Sequence, residues 1–145
     1  MGASAWIRYA EYDPDPVVVL NVLHERELAG GEYHWAEPEV PRPTSVQGLQ
    51  ELYGAYERLP LEGTHSVLDV FEVRDGVEPW TIRPLDAATM REKFGTVTPT
   101  REQFDAAYAA DELHETDGLK WNGRFATLFE DGVPAPTVVW GISGD

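Results

Sequence analysis

Cysteine is absent from the sequence. Its absence excludes disulfide bonds, thiolate catalysis and cysteine-ligated zinc together. Long apolar runs are absent too, since no stretch approaches the roughly 18 apolar residues that identify a membrane-spanning helix. Residues 1–5 also lack the charged and apolar regions of a secretory signal. We therefore expect a cytoplasmic protein that does not insert into a membrane.

Basic residues are scarce, with 11 lysines and arginines against 26 aspartates and glutamates, so the formal net charge is −15. Such a charge repels nucleic acid and anionic membrane surfaces and attracts basic proteins. We expect a basic protein partner and no direct binding to nucleic acid. Solubility, adaptation to salt and the composition of a GC-rich genome are the alternative causes of the acidity. The sequence leaves the oligomeric state undetermined.

What is present is typical of a folded protein. Hydrophobic residues make up 42% and aromatic residues 11% of the 145 positions, which is enough to form a core without metal or disulfides. We expect one domain over residues 1–145. The proline-rich segment 36–43 is predicted to be a connecting loop inside that domain, because proline disfavours helix in the preceding residue.

The N-terminal third has one clear element and one ambiguous element. Residues 6–11 are predicted to form a strand, and the turn residues 13–16 follow them. Residues 17–28 fit a helix, since Asp15 suits the N-cap and Pro16 the first turn. Three consecutive valines and the Gly30-Gly31 pair instead favour strands and a hairpin turn. We expect a three-stranded meander, with the helix as the alternative.

The middle of the chain carries a helix signal and a hairpin signal. Thr44 and Gln47 have the spacing of a capping box, which predicts a helix over residues 45–59. Asp75-Gly76 is a strong hairpin signal and predicts strands over residues 65–74 and 77–83. That hairpin would place Trp80 opposite Phe71.

The last third repeats these signals more strongly. Asp86 and Gly95 bracket a short predicted helix, and a capping box at Thr100 and Gln103 predicts a helix to about Leu113. Asp131-Gly132 then predicts a hairpin between strands 124–130 and 133–142. Prolines at positions 134 and 136 favour a sheet edge or a late start for the last strand.

Several of these signals recur after 56 residues. Thr44, Gln47 and Asp75 return as Thr100, Gln103 and Asp131. A duplicated α-β-β unit is one interpretation; independent use of common capping and turn devices is the other. The fold class that we predict is α+β, with a mainly antiparallel sheet built from hairpins and about three helices on one face.

A first group of candidate site residues combines imidazole with carboxylate, the natural ligands of zinc, manganese and iron. We predict a metal site from four residues of the N-terminal third: His24, His34, Asp13 and Asp15. The ten positions that separate the two histidines match no compact metal motif, so the site depends on a hairpin that brings them together.

A second group is acidic and lies at the end of the predicted 100–113 helix. Carboxylates there oppose the helix dipole, which suggests a role other than folding. We predict that these residues bind a basic partner, together with Trp121 as an exposed loop aromatic beside them. The predicted partner-binding residues are Asp111, Glu112, Glu115, Asp117 and Trp121.

Common catalytic motifs are missing. The sequence has no G-x-S-x-G elbow, no phosphate-binding loop followed by lysine and no EF-hand ladder, and it predicts no cofactor. Our leading hypothesis is a non-enzymatic acidic binding protein of the inhibitor, immunity or antagonist kind. The most specific form of this hypothesis is an inhibitor that imitates DNA. The alternatives are a small metal-dependent enzyme or ligand-binding domain that uses His24 and His34, and a structural or assembly subunit.

Overall fold

The computed structural model describes residues 3–55, 62–113 and 120–144. Within these ranges five strands form one mixed sheet in the order β1-β5-β4-β3-β2. The strands are β1 (Ala3–Glu11), β2 (Glu72–Val73), β3 (Thr81–Pro84), β4 (Asn122–Glu130) and β5 (Val133–Gly144). The helices are α1 (Pro16–Gly30), α2 (Val46–Ala55), α3 (Ala87–Phe94) and α4 (Arg101–Ala109), with a 3₁₀ turn at Val67–Asp69. The predicted α+β class and the largely antiparallel sheet are confirmed.

The N-terminal strand is confirmed, but the meander expected after it is wrong because residues 16–30 form α1. The Asp15 side chain accepts a hydrogen bond from the Val17 N–H. Gly31, in the left-handed region at φ 65°, closes the helix by donating to the Glu27 carbonyl. Caps at both ends, together with burial of one helix face, outweigh the strand propensity of the valines.

The hairpin expected at Asp75-Gly76 is also wrong. The 3₁₀ turn lies inside the first predicted strand, and β2 pairs with β3 in parallel, with Val73 beside Ile82. Phe71 and Trp80 nevertheless stack, with ring centroids 5.4 Å apart and planes 12° from parallel. The predicted contact between Phe71 and Trp80 therefore forms, although the strands that follow these residues are parallel and do not form a hairpin.

The hairpin at Asp131-Gly132 is confirmed, since β4 and β5 are antiparallel and both turn residues have positive φ, as a type I′ turn requires. Contrary to the edge or late start expected for the last strand, β5 begins before both prolines and lies between β1 and β4. Pro134 lies beside a register irregularity, and Pro136 pairs with Glu11 at the very end of β1. Neither proline interrupts the regular part of the ladder.

Side chains of β5 alternate between the two faces of the sheet. Val139 packs in one core cluster with Leu20 of α1, and Trp140 packs in another with Phe104 of α4. The helices thus lie on both faces, where the sequence predicts one. The 56-residue repeat is not reproduced structurally, because β2 and β3 are parallel whereas β4 and β5 are antiparallel.

The remaining helices begin close to where the sequence predicts. Asp86 caps α3, and the capping box of Thr100 and Gln103 begins α4. The helix α2 differs slightly, because Gly48 N–H donates to Ser45 Oγ at 2.9 Å and Ser45 takes the capping role expected of Thr44. Residues 56–59 of that predicted helix lie outside the described residues. No helix in the described ranges is long and apolar enough to cross a membrane.

Candidate functional site

The segment 62–69, called here the sheet-end loop, runs across one end of the sheet. The Gly63 N–H donates to the carbonyl of Gly144, the last residue of β5, at 2.8 Å. The His34 N–H donates to the Thr64 carbonyl at 3.0 Å. These bonds hold the loop between the end of β5 and the segment that carries His34.

The buried carboxylate of Asp69 accepts several hydrogen bonds from the sheet-end loop. Asp69 is 0% exposed and accepts hydrogen bonds from the Thr64 N–H at 3.0 Å and the Thr64 hydroxyl at 2.8 Å. The Ser143 hydroxyl and the His65 backbone N–H also donate to it. Burial raises the pKa of Asp69, and the hydrogen bonds act in the opposite direction. Burial, with Asp69 nearby, likewise raises the pKa of Tyr53.

Three partly exposed side chains lie close together at the sheet-end loop: His34, Glu62 and His65. We call them the histidine cluster. Glu62 Oε1 lies 2.8 Å from His34 Nε2 and 3.7 Å from His65 Nε2. The two imidazole rings stack, with centroids 4.5 Å apart and planes 7° from parallel. The three side chains are 39%, 39% and 28% exposed in that order. The cluster is the one such group of possible metal ligands among the described residues.

Trp121 packs behind this loop and is only 6% exposed, so the exposed aromatic expected there is not found. A Cβ added to Gly63 or Gly144 would come within 2.5 Å of its indole ring. It contacts Trp80 at a centroid distance of 4.6 Å. Both tryptophans have positive φ, 66° and 68°, and the Trp80 N–H donates to the Trp121 carbonyl. Trp121 is therefore part of the packing that supports the sheet-end loop.

The other predicted metal ligands do not join His34. His24 is buried, and its Nε2 lies 2.8 Å from the Val70 carbonyl. Burial lowers the pKa of His24. Asp15 caps α1, and Asp13 accepts a hydrogen bond from the Asp15 N–H. Among the described residues, the structure therefore does not bring the four predicted ligands together, and His24, Asp13 and Asp15 make the contacts given above instead.

Sequence reasoning missed Glu62 and His65. Their E-x-x-H spacing was the available signal, but it lies in a loop instead of on a helix, where the two side chains would share a face. The histidine pair that forms is His34 with His65, through a backbone contact between segments about thirty residues apart. A nonlocal contact of this kind leaves no periodicity in the sequence.

A second region, called here the acidic cleft, lies between the start of α4 and the β4–β5 hairpin. It is a cleft of about 480 Å³. Phe129, Ala135 and Pro136 contribute apolar surface to it. Its carboxylates are all exposed: Glu102, Asp105, Glu130 and Asp131.

The cleft also contains one cation, Arg101. Its guanidinium lies over the Tyr9 ring at 3.8 Å, and its Nε is 3.6 Å from Asp105 Oδ2. The Tyr9 hydroxyl donates to the same carboxylate, and burial and that bond raise the pKa of Tyr9. Arg101 thus forms an ion pair with Asp105 and a cation–π contact with Tyr9.

The predicted acidic cluster begins at the other end of α4. Asp111 and Glu112 are exposed there, and the Glu112 N–H donates to the Ala107 carbonyl as the helix ends. At 1.5 Å per residue, the nine residues of α4 separate this end from the cleft by about 14 Å. Glu115 and Asp117 lie outside the described residues.

Known proteins offer no template for either region: no protein family, curated protein or solved structure matches the chain. The functional assignment therefore rests on the chemistry of the two regions. The histidine cluster presents directional ligands on a fixed backbone. The acidic cleft presents exposed negative charge around an apolar surface.

Proposed function

We propose that the protein is a cytoplasmic, non-enzymatic binding protein of the inhibitor, immunity or antagonist kind. In this proposal its acidic surface engages a basic surface of a partner protein. The observation that carries the proposal is the acidic cleft, where four exposed carboxylates border apolar side chains. The net charge of −15 supports it, because such a charge accelerates the encounter with a basic partner.

The cleft has the chemistry that a lysine or arginine side chain requires. The aliphatic stem of such a side chain packs on apolar surface while its charged head remains among polar groups. Phe129 and Pro136 offer the apolar surface, and the carboxylates offer the partners for the head. Because Arg101 is paired with Asp105, the other three carboxylates retain their attraction for an incoming cation.

Exposed acids continue the negative surface beyond the cleft. Glu102 and Asp105 lie on α4, and Asp111 and Glu112 follow at its far end. Acids at a helix C-terminus oppose the helix dipole at a cost of about 0.3–1 kcal/mol each. A basic partner that covers this end would offset that cost. The proposal therefore includes both ends of α4 in the binding surface.

The test compares two variants with the same change in charge. The cleft variant carries Glu102→Gln, Glu130→Gln and Asp131→Asn, and the control carries Glu25→Gln, Glu37→Gln and Glu39→Gln, all at exposed positions. Proteins retained from host lysate by the wild-type chain at low salt are identified, and their affinities are measured with purified material. We expect basic partners whose affinity falls as salt rises.

The cleft variant should bind such a partner at least about 10-fold more weakly, whereas the control should change affinity less than about 3-fold. Equal losses in both variants would mean that general charge acts and the cleft does not. Retention of no basic protein at low salt would overturn the proposal. Competition by DNA would identify the partner surface as one that binds nucleic acid. Self-association without a partner in light scattering would favour the assembly-subunit alternative.

A further inference from the structure

We propose that the histidine cluster binds a divalent transition-metal ion of the zinc class. The geometry brings one carboxylate and two imidazoles from two separate segments to one place. No pair of the three ligand atoms is more than 4.8 Å apart. This site is independent of the acidic cleft and of the partner proposed for it.

The distances are close to those of a metal centre. A tetrahedral zinc ion with bonds of about 2.0–2.2 Å places its ligand atoms about 3.4 Å from one another. Here Glu62 Oε1 lies 2.8 Å from His34 Nε2 and 3.7 Å from His65 Nε2. Ligand atoms therefore need to move by about 1 Å in order to share one ion.

The stacking of the two imidazole rings determines how the ligand atoms have to move in order to share one ion. A nitrogen lone pair lies in the plane of its imidazole, and the planes of His34 and His65 are 7° from parallel. The two lone pairs therefore lie in nearly parallel planes, and at least one ring has to rotate before both point at one ion. The His34 side chain is 39% exposed, which leaves room for its ring to rotate, whereas His65 Nε2 is buried.

The donor set determines which ions fit. Two imidazole nitrogens with one carboxylate suit zinc, cobalt, nickel and copper, whereas magnesium and calcium prefer oxygen ligands alone. Three protein ligands leave a fourth position on a tetrahedral ion.

The backbone beneath the cluster is held in place without a metal. Asp69 accepts hydrogen bonds from Thr64 and from the His65 N–H, and His34 is tied to the Thr64 carbonyl. His65 has φ 55°, a conformation that costs free energy and persists only where surrounding contacts impose it. These bonds fix the backbone that carries His34 and His65, so the two side chains meet at a defined place on the surface.

The binding test uses zinc chloride and the metal-free full chain in isothermal titration calorimetry. Magnesium chloride at the same concentrations controls for diffuse attraction of cations to the acidic surface. We expect one zinc ion per chain and no corresponding heat with magnesium. Cobalt(II) should give the visible absorption of a four-coordinate site. Equal heats from zinc and magnesium, or no zinc binding, would overturn the proposal.

Ligand variants test the assignment of residues. His34→Gln, His65→Gln and Glu62→Gln should each weaken zinc binding at least about 100-fold, because changes in residues that only orient ligands already cost about 10- to 100-fold. The matched controls Glu37→Gln and Glu39→Gln should change affinity less than about 3-fold. Circular dichroism without metal verifies that each variant is folded. Unchanged affinity in a folded His34→Gln or His65→Gln variant would overturn the assignment.

Discussion

The sheet-end loop and the acidic cleft both present carboxylates, but they are built in opposite ways. In the loop, a fully buried carboxylate, Asp69, is satisfied by donors from Thr64, His65 and Ser143. In the cleft, carboxylates stand exposed on a capped helix and a tight hairpin. The loop is therefore supported by a buried polar network, whereas the carboxylates of the cleft are presented by a local cap and a local turn.

The backbone repeats this contrast. His65, Trp80 and Trp121 all have positive φ and lie around the sheet-end loop. In the cleft, Asp131 also has positive φ, but the type I′ turn requires that conformation and aspartate tolerates it. Backbone strain from positive φ is therefore found around the sheet-end loop, where the surrounding side chains are closely packed. Substitutions in the two regions should therefore differ sharply in their effects on the free energy of unfolding.

The largest effect is expected for Asp69→Ala. It removes the acceptor of the Thr64 N–H and of two hydroxyls, and each buried group left without a partner costs about 1–3 kcal/mol. We expect the free energy of unfolding to fall by about 3–5 kcal/mol in urea denaturation. Asp75→Ala, at an exposed carboxylate, is the control and should change it by less than about 0.5 kcal/mol. A loss below about 1 kcal/mol for Asp69→Ala would contradict the role assigned to the network.

The next effect comes from a matched pair of glycines. A Cβ at Gly63 would lie 2.5 Å from the Trp121 ring and close to the Asp69 carboxylate, so Gly63→Ala should lower the free energy of unfolding by about 1–3 kcal/mol. A Cβ at Gly54 in α2 would meet no atom within 4 Å, so Gly54→Ala should raise it by about 0.5–1 kcal/mol. Thermal and urea unfolding measure both changes. The same sign for both substitutions would contradict the tight packing assigned to Gly63 and the open surroundings assigned to Gly54.

A pH effect of intermediate size should come from His24. Burial lowers its pKa in the folded state below the usual 6.5, so the unfolded chain takes up a proton first as the pH falls. The contribution of His24 is therefore constant above pH 6.5 and declines below it by up to about 1.4 kcal/mol per pH unit. Urea denaturation between pH 7.5 and 5.5 measures this decline. A His24→Gln variant with the same decline would show that other groups cause it.

The smallest effect is expected in the acidic cleft. The variant Glu102→Gln, Glu130→Gln and Asp131→Asn should change the free energy of unfolding by less than about 0.5 kcal/mol, because exposed side chains contribute little to stability. Two opposing contributions keep the change small: the substitutions reduce repulsion among 26 acidic residues, but Glu102→Gln removes a favourable interaction with the N-terminus of α4. Circular dichroism during thermal unfolding gives the measurement. A loss above about 1 kcal/mol would mean that these carboxylates support the fold.

The elements that could be predicted from the sequence are those with local chemical signals. The capping box at Thr100 begins α4, and Asp131-Gly132 forms the β4–β5 hairpin. For residues 17–28 the propensity of valine predicts strands and the caps predict a helix. In the structure, the Asp15 N-cap and the left-handed Gly31 outweigh that propensity. The topology of β2, β3 and β5 depends on long-range packing, which no short motif encodes.

The candidate site is predictable only in part. The sequence predicts a metal site that joins His34 to His24, Asp13 and Asp15. In the structure His34 meets Glu62 and His65 instead, because that meeting depends on nonlocal contacts such as that of Gly63 with Gly144. The polar neighbours of Trp121 predict an exposed side chain. In the structure it packs against Gly63 and Gly144, which are remote in sequence. The acidic cleft likewise joins α4 to a hairpin that no linear pattern connects to it.

The position of β5 has a consequence for how the chain folds. The whole length of β1 pairs with β5, from Ala3 beside Gly144 to Glu11 beside Pro136. The strand β1 is therefore synthesised long before its pairing partner. At about 5–20 residues per second, that delay is on the order of ten seconds on the ribosome. Pairing between segments so far apart also predicts slow refolding, because the chain loses the entropy of loop closure before the stabilising contacts between the strands form. During that interval β1 is an unpaired strand, and the nascent chain is open to aggregation or to protection by a chaperone.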